Sequence, residues 1–193
     1  MSSRTDSLAE AGASGTLNWF VGGAAGGVAG AILFGAILWL FDPAIVTESI
    51  PGAYGLDDSS VIGWALHLTH GLVLGVVFGF FLTRNVILGT ITADVETPFL
   101  AAMSANTRII FAGLVYGLAV WVFVSGIALS ILVAVRDLSD PIPWVSAYNL
   151  VGHLLFGMLL GALTSVFIDI ESEKRSAEAP FEEATDPPSE QHE

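Results

Sequence analysis

Three histidines, His67, His70 and His153, are the only side chains inside the long apolar runs of this chain that titrate near neutral pH. An ionisable group at membrane depth marks a functional site by default, because hydrocarbon offers it no solvation. His67 and His70 are three residues apart and share a helix face. His67 and His153 each lie about six residues inside one end of their runs, roughly 9 Å at helical rise. Matched depth on two helices admits three chemistries. Neutral imidazoles hydrogen-bond to hydroxyls or carbonyls of a neighbouring helix as polar glue. Two imidazoles on facing helices ligate a haem b iron from opposite sides. Imidazoles also relay protons or bind a divalent metal, although no carboxylate accompanies them in the runs and a zinc site wants a third protein ligand. His192 lies in an acidic tail and is expected to be solvated.

Glycines are the second patterned feature. Small residues four apart stack on one face and let a neighbouring helix approach closely. Gly71, Gly75 and Gly79 form one such row, Gly157, Gly161 and Ser165 another, and Gly113 and Gly117 a third. The first apolar run carries two rows, Gly22-Gly26-Gly30 and Gly23-Gly27-Ala31-Gly35. One reading is tight packing within a single bundle. A second gives one of these two rows to another copy of the protein. A third makes room for a flat ligand. No nucleophile elbow, phosphate-binding loop, HExxH or dinucleotide fingerprint occurs, and the glycine strings do not follow a strand. No catalytic or metal-binding set is expected.

The elements that must position these residues are membrane spans. A spanning helix needs about 20 apolar residues. The runs 17–41, 61–83, 109–135 and 147–168 qualify, and none contains Asp, Glu, Lys or Arg. One helix per run satisfies every backbone polar group internally, as lipid requires. Trp19 and Trp39, 20 residues apart, read as the two interfacial anchors of the first span. That span is too long for a signal peptide and reads as retained.

Composition excludes other classes. The chain has 193 residues, 53% hydrophobic and only 13% charged, with six Lys plus Arg against nineteen Asp plus Glu. Such a chain cannot cover a water-facing surface, and it offers no basic face to nucleic acid. Its mean hydropathy is +0.72. No cysteine is present, so disulfides and thiolate sites are excluded. The net charge of −13 with a single lysine fits a halophilic source, because high salt screens carboxylate repulsion.

Arg4, Arg84, Arg108, Lys174 and Arg175 fall on one side of the spans and Arg136 on the other, which predicts both termini in the cytoplasm. Residues 1–15 are predicted to be mobile and 170–193 an acidic disordered tail. Thr97-Pro98 resembles a helix start, so the third helix is expected to begin there. The two loops on the far side carry Pro43, Pro51, Pro141 and Pro143 and are predicted to be compact.

The halves also resemble each other. At an offset of 91, Thr16, Phe20, Gly22, Gly26, Gly35 and Leu38 meet identical residues in the third run. At an offset of 86, Ser60, His67, Leu68, Gly71, Leu74, Gly75 and Phe81 meet identical residues in the fourth. Two spans per half predict parallel repeats, related by an axis along the membrane normal. On that basis Gly75 and Gly161 are expected where the second and fourth helices meet near the axis.

Residues 60–168 resemble the YagU-like small inner-membrane proteins, an uncharacterised four-span family. The resemblance rests on the stretch 64–70 (WALHLTH), the glycines at Gly113 and Gly117, and 140–144 (DPIPW) leading into Gly152-His153-Leu154. It implies the architecture, with His70 and His153 as the recurring histidines, and carries no chemistry. The sequence thus predicts an all-α integral membrane protein of the cell membrane, with four transmembrane helices in two parallel hairpins. It is expected to be non-enzymatic and embedded in the lipid bilayer, with a homo-oligomer or a membrane-complex partner as possible company and no nucleic acid. Two alternatives stay open: a haem-b electron-transfer or quinone-linked subunit, and a small oligomeric channel or transporter.

Overall fold

A computed structural model describes residues 2–84, 87, 89, 103–128 and 146–168, with side chains from Leu17 onward except at 125, 126 and 128. Among these residues every regular element is helical. Helix α1 spans Ser2–Phe41, and a π-helical turn, Ile45–Ser49, leads into the short α2, Ile50–Ala53. Helix α3 spans Ser60–Leu82, α4 spans Ala105–Trp121 and runs into a π-helical segment, Val122–Ala128, and α5 spans Ala147–Phe167.

Among the described residues four helices are long and apolar enough to cross a membrane: Leu17–Phe41, Ser60–Leu82, Ala105–Val124 and Ala147–Phe167. Their outward surface is apolar, with Val61, Leu40, Val166 and Phe123 all well exposed. That distribution suits lipid and not water.

Three of the helices begin with the same device. Ser59, Ser104 and Ser146 have extended backbones, and each Oγ accepts from an amide three residues on, at Ile62, Thr107 and Asn149. The Ser104 cap starts α4 at Ala105; the start expected at Thr97-Pro98 lies outside the described residues. Towards the N-terminus helix α1 extends back to Ser2, so residues 2–16 continue the first span as helix. Extending a formed helix costs far less than nucleating one, and residues 2–16 contain no proline to stop it.

The first loop is compact, as predicted. Ile45, Val46, Ile50 and Pro51 are buried beneath it. Ser59 N donates to Thr47 O at 2.8 Å, tying the loop's end to its middle, and Gly55 takes a left-handed φ of 71° in the turn between. The second loop, with Pro141 and Pro143, lies outside the described residues.

The helices pack in the order α3, α1, α5, α4. Among the described residues the backbones of α3 and α4 scarcely approach each other, so the ring of four is open on that side.

Glycines set the three closed contacts. On α1, Gly23 and Gly27 lie against Gly71 and Gly75 of α3; a Cβ at Gly75 would stand 2.7 Å from Gly27 Cα. Gly22, Gly26 and Gly30 lie against Thr164, Leu160 and Phe156 of α5. Gly79 meets Trp19 of α1. Gly113 and Gly117 meet Gly157, Gly161 and His153 of α5. Both rows of the first span are therefore used inside one chain, and neither is left for a second copy. The expected meeting of Gly75 with Gly161 is also corrected: Gly75 faces α1, and Gly161 faces Ile109 and Ile110 of α4.

The contacts recur along the chain at a single offset of 86. Gly27 against Gly71 and Gly75 becomes Gly113 against Gly157 and Gly161, and Gly23 against Gly75 becomes Ile109 against Gly161. The offset of 91 found for the first span by identity is not the one that the contacts follow.

Candidate functional site

The open side of the ring is a cleft of about 960 Å3, near the upper end of the roughly 300–1,000 Å3 usual for small-molecule sites. Its asymmetry has a local cause. Gly30 on the closed side lets Phe156 of α5 lie against the α1 backbone, where a Cβ would be 2.9 Å from Phe156 O. The residue 86 positions later is Tyr116, which faces α3 instead. Its Oη donates to Leu74 O at 2.9 Å, and its ring lies 5.2 Å from that of Phe78. A tyrosine stands where the other side has a hydrogen atom, and α4 is held off α3.

The lining is apolar over most of its length, with Leu38, Val77, Val120, Phe123 and Phe156 among its walls. Its polar members, apart from Tyr116, gather towards the loop end: Tyr54, His67, His70, Asn149 and His153. Among the described residues no Lys or Arg lines it. Arg84 is at the opposite end of α3, with its guanidinium 4.0 Å over the Phe80 ring.

The three predicted histidines all line this cleft, in different roles. His67 is buried, and its Nε2 donates to Ala31 O of α1 at 3.0 Å. His153 is buried too, but its Nδ1 donates to Asn149 O at 3.0 Å, within its own helix. His70 is less buried; its Nε2 shares a hydrogen bond with Tyr54 Oη, and the two rings stack at 5.7 Å. His67 thus bonds across helices, while His153 bonds within its own.

Phe34 of α1 lies between the two matched histidines. Its ring centroid is 5.4 Å from that of His67 and 4.5 Å from that of His153. Gly152 makes the room, since a Cβ there would meet the Phe34 ring. This arrangement does not fit a haem clamped between His67 and His153: a phenyl ring occupies the space, and the Nε2 of His67 is spent on a carbonyl. His70 is engaged by Tyr54. Among the described residues no three His, Asp or Glu converge as a metal site would require.

Asn149 was not foreseen from the sequence. It is 1% exposed in the first turn of α5, and its Oδ1 is buried with no hydrogen-bond partner among the described residues. A buried polar atom without a partner costs roughly 1–3 kcal/mol. Its neighbour Tyr148 donates to Asp42 Oδ2 at 3.2 Å, fixing the start of α5 against the end of α1. An amide in the first turn of an otherwise apolar span was the available signal. Tyr116 likewise announced itself only through the offset that sets it opposite Gly30.

No family model, curated protein or solved structure shows a match to this chain.

Proposed function

We propose that this chain is a non-enzymatic multi-pass protein of the cell membrane, both termini cytoplasmic, whose cleft between α3 and α4 holds a lipid-soluble molecule. The carrying observation is the cleft itself: apolar walls open to the side, and neutral hydrogen-bonding groups gathered at one end. A molecule with a polar head and an apolar tail matches that division. The described lining offers no Lys or Arg to a phospholipid's phosphate. The five-to-one bias of basic residues supports the orientation, which puts the polar end of the cleft towards the outer leaflet. The contacts recurring at an offset of 86 support two parallel hairpin repeats with one opened interface. The stretch that resembles the YagU-like proteins contributes His70 and His153, both of which line the cleft.

The test is extraction. Protein purified in mild detergent is stripped with organic solvent, and the lipids are identified by mass spectrometry. Ala119 lines the cleft from α4. Ala119→Trp fills the cleft without touching a glycine contact and should remove a species that the parent protein retains. A parent protein carrying only bulk lipids in bulk proportions, unchanged in Ala119→Trp, refutes the proposal. The absorbance spectrum of the same sample decides the haem alternative.

A further inference from the structure

The polar end of the cleft mixes donors with acceptors, so it does not sort ligands by hydrogen-bond sense. His67 and His153, which donate to Ala31 O and Asn149 O, keep a lone pair on the second ring nitrogen. The Tyr54–His70 pair has two donor hydrogens and spends one on the bond between them, so one is left whichever tautomer His70 takes. The Asn149 carboxamide brings N–H donors, while its Oδ1 has no accessible surface.

What the polar end restricts is room. The first loop encloses it. Ile45, Ile50 and Ala53 line the cleft from that loop, and Ile45 and Ile50 are buried there. Tyr54, which ends α2, crosses to α3, where it hydrogen-bonds His70 and stacks on its ring at 5.7 Å and 24°. The loop is itself pinned to α3, for Gly63 lies against Val46 O with no space for a Cβ. Inside this enclosure His67 and His153 are only 7% and 8% exposed. They lie about 9–10 Å along their helices from the starts of α3 and α5, at Ser60 and Ala147. A long polar head at that depth has two ways out. One parts the loop from α3, and the other leads between α3 and α4 into hydrocarbon, which solvates no polar chain.

We infer that the cleft takes an uncharged lipid with a single small polar group, sunk below the interface, and that the Tyr54–His70 bridge sets the limit on head-group size. This deepens the lipid-binding reading and rests on it.

The experiment compares oleyl alcohol with its decaethylene glycol ether, which keeps the tail, the neutrality and a terminal hydroxyl and lengthens only the head. Each is added at equal mole fraction to the full-length protein in dodecylmaltoside micelles. The protein is repurified by size exclusion, and the ligand retained per chain is counted by mass spectrometry. Ala119→Trp, with the cleft filled, gives the micelle background. Above that background the parent should retain about tenfold more alcohol than ether, because the long head has to part the Tyr54–His70 bond and ring pair. Tyr54→Ala should bring the two ligands to within about twofold of each other. Tyr54 is 53% exposed, so its loss leaves the helix contacts in place. His70→Ala removes the other half of the bridge and should act alike. Equal retention by the parent, or an excess of the ether, overturns the size limit and leaves the lipid cleft standing. Retention of neither above background overturns the cleft itself. A preference that survives both Tyr54→Ala and His70→Ala removes the bridge as its origin and overturns the assignment as stated.

Discussion

Gly75→Ala is the smallest change that tests how α1 and α3 are held. The new Cβ would lie 2.7 Å from Gly27 Cα and 2.9 Å from Gly27 N, and beside Gly23 O. Carbon–carbon contacts are comfortable at about 3.5–4.0 Å, so the helices must part by close to an ångström. Every atom in the way is backbone, and no rotamer change can relieve it. A gap of 0.5–1 Å forfeits about a quarter to a half of each contact's dispersion energy, and the loss spreads along the whole α1–α3 seam. Overpacking of this kind costs about 1–3 kcal/mol in soluble cores. Helix propensity acts the other way, since alanine is better than glycine by about 0.8–1 kcal/mol. Setting one against the other leaves a net loss of up to about 2 kcal/mol, read from the midpoint of unfolding in mixed micelles by far-ultraviolet circular dichroism. Gly52→Ala is the internal control, because nothing lies within 4 Å of its added Cβ; it should be neutral or stabilising. If Gly75→Ala is as stable as the parent, the seam is not set by glycine backbone contact and the packing argument fails.

Three further outcomes follow from the same contacts. His67→Leu breaks a bond between helices and should cost about 0.6–1.7 kcal/mol, the range for membrane hydrogen bonds, whereas His153→Leu breaks a bond within one helix and should cost less; the reverse order in unfolding midpoints would contradict the assignments of Ala31 O and Asn149 O. Gly30→Leu should destabilise the single chain through Phe156 and leave the mass of the detergent-solubilised particle unchanged by light scattering; a changed mass would contradict the assignment of this row to α5. Cysteine at Ser59 should react with an impermeant thiol reagent in intact cells while cysteine at Ser3 and Ser189 stays protected, and labelling of the termini with Ser59 silent inverts the orientation.

The spans were legible because lipid leaves a chain little choice: a charge-free run of this length must satisfy its own backbone, and helix does so wherever the runs fall. The described bounds of the second and fourth spans agree with the runs to within a residue. The glycine rows were legible as rows, but a stripe of small residues does not say which helix it meets. Gly22 and Gly23 are adjacent in sequence and face different neighbours, α5 and α3. The identity of Gly22 with Gly113 suggested an offset that packing does not honour, because membrane segments draw on few residue types and align easily by chance. The histidines were found, and all three line the cleft, but Phe34 could not be seen between His67 and His153; it is remote in sequence from both and arrives on a third helix. Caps at Ser59, Ser104 and Ser146 were overlooked in favour of Thr97-Pro98, since a lone serine before an apolar run is a weaker signal than threonine followed by proline.

The packing order α3, α1, α5, α4 also dictates a sequence of assembly. The α1–α3 contact joins segments close in the chain, and so does the α4–α5 contact, so each hairpin can close as soon as its second helix leaves the translocon. The seam of α1 with α5 is different. It joins Gly22 to Thr164, through a bond from Thr164 Oγ1 to Gly22 O at 3.3 Å, and cannot form until the fourth span has been made. Two preformed hairpins then dock along one glycine-lined face. Lesions in Gly71 or Gly157 would arrest a hairpin during insertion, whereas lesions in Gly22, Gly26 or Gly30 would leave both halves inserted and undocked, a pair of separable units exposed to quality-control proteases.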